Sequence, residues 1–239
     1  MGFSKREAPK CDWCPYRKNC LYEFLSQGKS KKEWRELRIA RRFQSGEKIF
    51  YEGTKPQGLY VVCRGHVKVC KTSRTGEQLL TRIEKPGDLL GHVSLLIGGP
   101  YAANAESMGE TVVSLIDEEK FMRFLRDNPD ATLAILRALS LDVRRGEDRA
   151  RDIAYKPARA RLAGILLQVF NNDGHGRARQ PSYPIELKRK ELAEMAGLTT
   201  ETTVRLLKDF EERQLIKKQK RAVVVLDAAR LEPLTEAFS

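Results

Sequence analysis

The sequence predicts an α+β protein: an N-terminal β-roll, then a long helix, then a C-terminal winged helix-turn-helix. Three changes of pattern along its 239 residues carry that prediction. Short apolar runs broken by recurring glycines fill 43–127, and a helical period takes over at 128–155. Within 156–239, two helices separated by a glycine lead into a basic ribbon and a valine run. Ahead of all three, residues 1–42 hold Cys11, Cys14 and Cys20 and then a basic, helix-like stretch, SKKEWRELRIARR.

In the roll segment the runs IFYEG, GLYVVCRG, HVKVCK, QLLTRI and TVVSLI alternate with glycines at 46, 53, 58, 65, 76, 87, 91 and 98. Short strands punctuated in this way make a β-sandwich or roll. At Asn128 the period lengthens. Asn128 is placed to cap a helix that starts at Pro129, and Leu136, Leu139, Val143, Gly146, Ala150 and Ile153 then recur at helical spacing. One stripe on so long a helix, with Arg144, Arg145, Asp148 and Arg149 off it, is the seam of a coiled coil, so these six residues are the expected homodimer contact. The seam thins at Gly146 and Ala150, which leaves the pairing weak enough there to be switched.

Lys156-Pro157 breaks this helix, ARARLAGILLQVF (158–170) begins another, and NNDGHGRARQPSYP (171–184) is a turn-rich excursion. KRKELAEMAGL and TTETTVRLLKDFEERQL then form the helix pair: Gly197 allows the sharp turn, and Thr199 or Thr200 caps the second helix. IKKQKRAVVVLD reads as the wing.

Lys plus Arg outnumber Asp plus Glu by 44 to 32, a net charge of +12, so a polyanion is the expected partner, nucleic acid before a membrane surface. No stretch approaches the roughly 18 apolar residues of a membrane span. The start, MGFSKREAPK, is charged, and the cysteines number five, an odd count. The expected setting is therefore the reducing cytoplasm, with cysteines as thiols or metal ligands. No nucleophile elbow, P-loop or H-E-x-x-H motif is present, which points away from an enzyme. The rival class is an interaction module that does not bind DNA, which would not need a basic wing beside a Thr-capped helix with Glu201 and Arg205 one turn apart.

Three stretches, GEKIFYEGTKPQGLYVVCRGHVKV, PGDLLGHVSLLIGG and ELAEMAGLTTETTVRLLKDFEERQLI, stand in this order with the long helix between the second and third. In this the chain resembles the CRP/FNR superfamily of bacterial transcription regulators over nearly its whole length. The resemblance implies an effector roll of the cyclic-nucleotide-binding type, a dimerisation helix and a winged helix-turn-helix, with palindromic double-stranded DNA and RNA polymerase as partners. Members that bind cyclic AMP carry a Gly-Glu pair and then Arg-Ser for the phosphate. Here those positions read Gly91-His92 and Ala102-Ala103. A buried phosphate needs a cationic donor, so no cyclic AMP is expected. His92, beside the pocket, keeps haem as a minor alternative.

The spacing C-x2-C-x5-C of Cys11, Cys14 and Cys20 suits thiolate ligation of an iron–sulfur cluster or zinc, or thiol–disulfide sensing. It is similar to the N-terminal segment of the FNR branch, which implies a 4Fe-4S cluster sensing oxygen or redox state. The branch takes its fourth cysteine from a late strand of the roll, where this chain has Ser114. If Val67 and Val69 point into the roll, Cys70 points out within reach of the N-terminal segment, making it the expected fourth ligand. Cys63 is the alternative, since nearly every neighbour in GLYVVCRG is apolar, and a carboxylate is a third; of the histidines His66, His92 and His175, none is near the trio in sequence.

For the second helix of the pair, the resemblance implies a place in the major groove, with half-sites about 34 Å apart on a palindrome. Glu201 and Arg205 match the family positions that read a G·C pair and its neighbour, the carboxylate accepting from cytosine N4 and the guanidinium donating to guanine O6 and N7. Val204 stands between them, where FNR proteins have serine and cyclic AMP receptors glycine. Thr199, Thr200, Thr202 and Lys208 complete the expected DNA-binding set, with Thr199, Thr202 and Lys208 on phosphates.

Overall fold

The structure, a computed structural model, describes residues 2–5, 8–25, 28–173, 184–220 and 222–236; most of the excursion at 171–184 therefore lies outside the described residues. The chain divides into two units, Met1–Val143 and Arg144–Ser239.

The first unit opens with two 3-10 turns, Cys11–Trp13 and Arg17–Asn19, followed by the helices α1 (Leu21–Phe24) and α2 (Lys29–Leu37). Arg38 is extended (φ −83, ψ 134), so the helix stops there and the chain enters β1 (Ile39–Phe43). The stretch SKKEWRELRIARR is thus helical only to Leu37, and the sheet begins before residue 43, because Ala40 and Phe43 turn their side chains into the interior. There follow β2 (Lys48–Phe50), β3 (Gly58–Thr72), β4 (Gln78–Glu84), β5 (Leu89–Leu90), α3 (His92–Ile97), β6 (Asn104–Asp117), α4 (Glu118–Asp127) and α5 (Pro129–Tyr155). The sheet is antiparallel in the order β1-β6-β3-β4, with β2 also on β6 and β5 on β3.

GLYVVCRG and HVKVCK, expected as separate strands, are one strand, β3. Gly65 between them is a bulge rather than a turn: its φ is +77, and a Cβ there would lie 2.6 Å from the Glu110 carbonyl oxygen. The register against β6 slips on both sides of Arg64.

Side chains sort into two cores. Phe43, Phe50, Tyr60, Val62, Val67, Val69, Leu90, Tyr101, Val113 and Leu115 fill the inside of the roll, where the Phe50 and Tyr101 rings stack at 4.0 Å. Leu59, Val61 and Ile116, on the other face, join Cys11, Cys20, Leu21, Tyr22, Trp34, Phe121, Phe124, Ala131, Ala134 and Ile135 in the second core. Trp34 of α2 and Phe124 of α4 meet with ring centroids 5.5 Å apart.

Helix α5 carries two apolar stripes where the sequence suggested one. Ala131, Ala134, Ile135, Ala138 and Leu139 turn onto the second core, so Leu139, expected in the dimer seam, packs against its own unit. Leu133, Leu136, Leu141, Val143 and Ile153 are exposed, and so are Gly146 and Ala150. The Asn128 side chain does not cap α5. Its amide donates back to the Phe124 carbonyl (2.9 Å) and to Glu33 (3.2 Å), while its main-chain oxygen accepts from Ala131.

The second unit comprises the remainder of α5 from Arg144, then α6 (Ala158–Asp173), β7 (Pro184–Ile185), α7 (Arg189–Ala196), α8 (Thr200–Glu212), β8 (Ile216–Lys218), β9 (Val223–Val225), α9 (Ala228–Leu231) and a final 3-10 turn. β7, β9 and β8 form a small antiparallel sheet, whose β8–β9 hairpin is the ribbon of IKKQKRAVVVLD.

Leu136 is 53 % and Val143 61 % exposed on α5, so charge there disturbs no core. Leu136→Glu with Val143→Glu should leave stability within about 1 kcal/mol of the parent. Sedimentation should show the pair shifting the chain toward a monomer.

Candidate functional site

The N-terminal cysteines sit on consecutive tight turns. Cys14 N–H donates to the Cys11 carbonyl (3.2 Å), Arg17 N–H to Cys14 (3.1 Å) and Cys20 N–H to Arg17 (3.0 Å), which winds the five-residue spacer so that Cys20 returns toward Cys11. Asp12 pins the loop from outside, accepting hydrogen bonds from the Tyr22 hydroxyl and the Arg35 guanidinium, the first of which does most to hold its carboxyl below the usual range. On the roll side, Gly87 (φ +103) lies so close that a Cβ would meet the Asn19 carbonyl oxygen at 2.6 Å.

Cys11, Cys14 and Cys20 line one pocket together with Cys63, Arg38, Val61, Val62 and Gly87. Cys63 is therefore the fourth cysteine of the site, and Cys70 is not. Alternation fails as a guide because of the bulges around Arg64. Before them the odd-numbered Leu59 and Val61 face the N-terminal segment, whereas after them the odd-numbered Val67 and Val69 face the roll interior. Cys70, expected to point outward, is buried next to Val69, since the pairing with β4 slips between the two.

Ser114 stands beside the Cys63 thiol, Oγ to Sγ 3.1 Å. Arg38, missed in the sequence because it ends a run of solvent-facing basic residues, is 3 % exposed. It reaches Cys63 Sγ (3.8 Å) and Ser114 Oγ (3.5 Å) through Nη1 and donates to the Pro9 carbonyl (2.9 Å) through Nη2. Burial pushes the Cys11 thiol up to about 11 and Cys20 up to about 12, and it raises Cys63 as well, with the Arg38 charge opposing in each case. Ligation by these groups would release their protons. Among the described residues no three His, Cys, Asp or Glu side chains form a group able to hold a single metal ion. The thiols stand around the pocket wall. A zinc site needs its sulfurs at about 2.3 Å from one point. A cluster takes each thiolate at a separate iron, so the donor set, cysteine only, fits an iron–sulfur group.

His92 is buried, its side chain 3 % exposed, with Nε2 3.1 Å from Asp142 of α5 and Nδ1 without a hydrogen-bond partner among the described residues.

In the second unit, Gly197 (φ +63) ends α7 in the left-handed conformation and Thr199 Oγ1 accepts from Thr202 N–H to cap α8. Thr203, Leu207 and Phe210 are buried, which turns Glu201, Val204, Arg205 and Lys208 to solvent. Val204 is 49 % exposed, an apolar residue with nothing of its own chain to cover it. Neither Glu201 nor Arg205 has an ion-pair partner among the described residues, although they are one turn apart on the same face. Lys208 lies 3.8 Å from Glu212, both well exposed, a pairing too weak to compete with a phosphate. Thr199 and Thr200 are exposed at the helix start, and Thr202 is half-buried. The frame behind this face was not legible: Asp209 is held by Arg159 of α6 and by Arg213, and Arg161 donates to the carbonyls of Ala196 (3.1 Å) and Gly197 (2.9 Å), fixing the turn.

Arg205→Ala should cost about 1–3 kcal/mol of DNA affinity and relax preference at one base pair, read by selection from a randomised pool. Lys208→Ala should weaken all sequences alike and lower the salt slope by about one. Gly87→Ala forces both an unfavourable φ and the contact with Asn19, so it should destabilise the first unit by more than about 1 kcal/mol, measured by thermal melting.

Comparison with known proteins follows the same division. The cyclic nucleotide-binding domain family matches residues 40–128, and the Crp-like helix-turn-helix domain family matches 160–234. A CRP-like cAMP-activated global transcriptional regulator of Mycobacterium tuberculosis is 27 % identical over 79 % of this chain and 84 % of its own. The nitrogen fixation regulation protein FixK of Bradyrhizobium diazoefficiens is 24 % identical over 95 % of this chain and 94 % of its own. A transcriptional regulator of the CRP/FNR family from Thermus thermophilus has the same fold, with a TM-score of 0.71 and 20 % identity over 84 % of this chain and all of that one (100 %). The two domains in this order make the chain a CRP/FNR-type DNA-binding transcription regulator, not an enzyme.

Proposed function

We propose that this regulator senses oxygen or redox state in the cytoplasm through an iron–sulfur cluster, four-iron four-sulfur in type. Cys11, Cys14, Cys20 and Cys63 hold it, and the protein reads palindromic DNA as a homodimer, with RNA polymerase as its downstream partner. The observation that carries the reading is the cysteine-only pocket closed by the N-terminal loop over β3, with a buried arginine in its wall. The proposal assigns the protein's sensing to the FNR branch, although relatives at 27 % and 28 % identity are named for cyclic AMP. Against a cyclic nucleotide stand Ala102 and Ala103 at the phosphate positions and the stacked Phe50 and Tyr101 inside the roll.

A bound cluster supplies a centre that oxidants degrade. The chain's own residues do the rest. Cys11 and Cys20 belong to the same apolar core as Ala131, Ala134 and Ile135 of α5, so a change in how the loop is held alters the packing of the helix that bears the exposed seam. On the DNA side, Glu201 and Arg205 read base edges, Val204 meets an apolar base edge such as a thymine methyl, and Thr199, Thr202 and Lys208 fix register on the phosphates.

Protein purified without air should be brown, with iron and sulfide present in about the ratio such a cluster requires and with an absorbance that bleaches in air. Cys63→Ser should lose the colour and Cys70→Ser should keep it. Stoichiometric zinc with no iron would overturn the reading, and loss of iron in Cys70→Ser alone would move the fourth ligand.

A further inference from the structure

Arg38 follows directly on α2, and its side chain is buried among groups that carry no formal charge. Its Nη2 is satisfied by the Pro9 carbonyl, its Nη1 faces the Cys63 sulfur and the Ser114 hydroxyl, and its Nε has no hydrogen-bond partner. No carboxylate pairs with it among the described residues. Of the arginines that are only partly covered, Arg41 pairs with Glu47, Arg82 with Glu84 and Arg159 with Asp209, while Arg161 is held by main-chain carbonyls; Arg38, at 3 % exposure, is buried more deeply than these. A guanidinium cannot shed its charge by deprotonation, and a buried cation without an anion is unfavourable by several kcal/mol, so a charge held this way implies an anion at the same place. The groups that face it are thiols, and the cavity they surround is the pocket described above.

We infer that Arg38 is the positioning and charge-balancing residue for the anionic thiolate group held in this pocket, a role that rests on the cluster reading. Its fixed positive charge offsets the negative charge that the thiolates bring to a buried site. Its Nη1 hydrogens are directed at the Cys63 sulfur, the one ligand supplied by the sheet. Through Nη2 it ties the start of the cysteine loop, at Pro9, to that same ligand, so one side chain spans both halves of the donor set.

The test uses the full chain, reconstituted anaerobically with iron and sulfide, as wild type, Arg38→Gln and Arg38→Lys. Gln keeps a donor without the charge, and Lys keeps the charge without the fork. Arg38→Gln should hold iron about 10- to 100-fold less tightly against a chelator. Its cluster should have a more negative midpoint potential, because a nearby cation favours the more negatively charged reduced state. Arg38→Lys should restore the wild-type potential while remaining easier to strip. Metal-free Arg38→Gln should melt no lower than metal-free wild type, since it no longer buries an unpaired charge. Wild-type potential and iron retention in Arg38→Gln would make Arg38 a structural bolt and overturn the inference. So would a metal-free Arg38→Gln that fails to fold, which would show that the charge is matched to the protein and not to the occupant. A wild-type chain that takes up neither iron nor sulfide overturns the cluster reading itself, a result distinct from these.

Discussion

Burial of both faces of β3 is the constraint on which the sensory unit depends. A strand between two cores cannot slip by one residue without driving Tyr60 and Val62 out of the roll and Leu59 and Val61 into it, so its register is fixed. That fixed register holds Val61 and Cys63 as the floor of the thiol pocket. The loop above adds little rigidity of its own, being two 3-10 turns and a four-residue helix. It is held by burial of Cys11, Cys20, Leu21 and Tyr22, by Asp12 bonded to Tyr22 and Arg35, and by close approach to Gly87. The sheet positions one cysteine of the pocket and the loop brings three.

The second core then acts as a connector. It contains the loop cysteines at one side and the inward stripe of α5 at another, with Trp34 and Phe124 between α2 and α4. Close-packed interiors respond to displacement by repacking rather than by smooth deformation. A change in how the loop packs is therefore felt at Ala131, Ala134 and Ile135, the residues that set how α5 presents Leu136 and Val143. The contact of His92 with Asp142 offers a second link between the roll and this helix. In the proposed reading, sensing is a shift in population between two packings of α5, and the exposed seam is its output.

The fold was legible wherever the local signal and the tertiary result agree. Gly197 and Thr199 mark the helix-turn-helix because a left-handed C-cap and an N-cap each need a particular residue type, and burial of Thr203, Leu207 and Phe210 follows directly from helical period. Legibility failed where a pattern superposes two environments. On α5 the single stripe drawn from Leu136 to Ile153 merged an inward row with an outward one, so Leu139 was placed on the wrong side. On β3 the alternation of Val67 and Val69 assigned Cys70 to the surface, but the pairing with β4 slips between Val69 and Cys70, and such a slip leaves no gap in the apolar pattern. Arg38 was invisible for another reason. Nothing in a run of arginines and lysines says which one is turned inward, since that is decided by where α2 stops and the sheet begins.

Ser114 is the most informative departure from the family pattern. The resemblance places a cysteine there, on β6, and its absence left the donor set one short. Antiparallel neighbours on one face bring their side chains together, and β6 pairs with β3 so that Val61 is opposite Ser114. Two residues along β3, on the same face, is Cys63, whose sulfur lies 3.1 Å from the Ser114 hydroxyl. A thiol lost from one strand is thus supplied by the next with only a small displacement in space, although the two positions are half the roll apart in sequence. The serine is not idle in this arrangement. In the proposed reading, where Cys63 is a thiolate, that hydroxyl donates to it and, together with the Arg38 guanidinium, lowers the electron density on the one sulfur the sheet provides. The surroundings of the Cys63 sulfur on β3 are therefore set from two other segments, Arg38 at the end of α2 and Ser114 on β6. A site built this way keeps four cysteines together while its motif changes, so the fourth had to be found from strand pairing and could not be found from spacing.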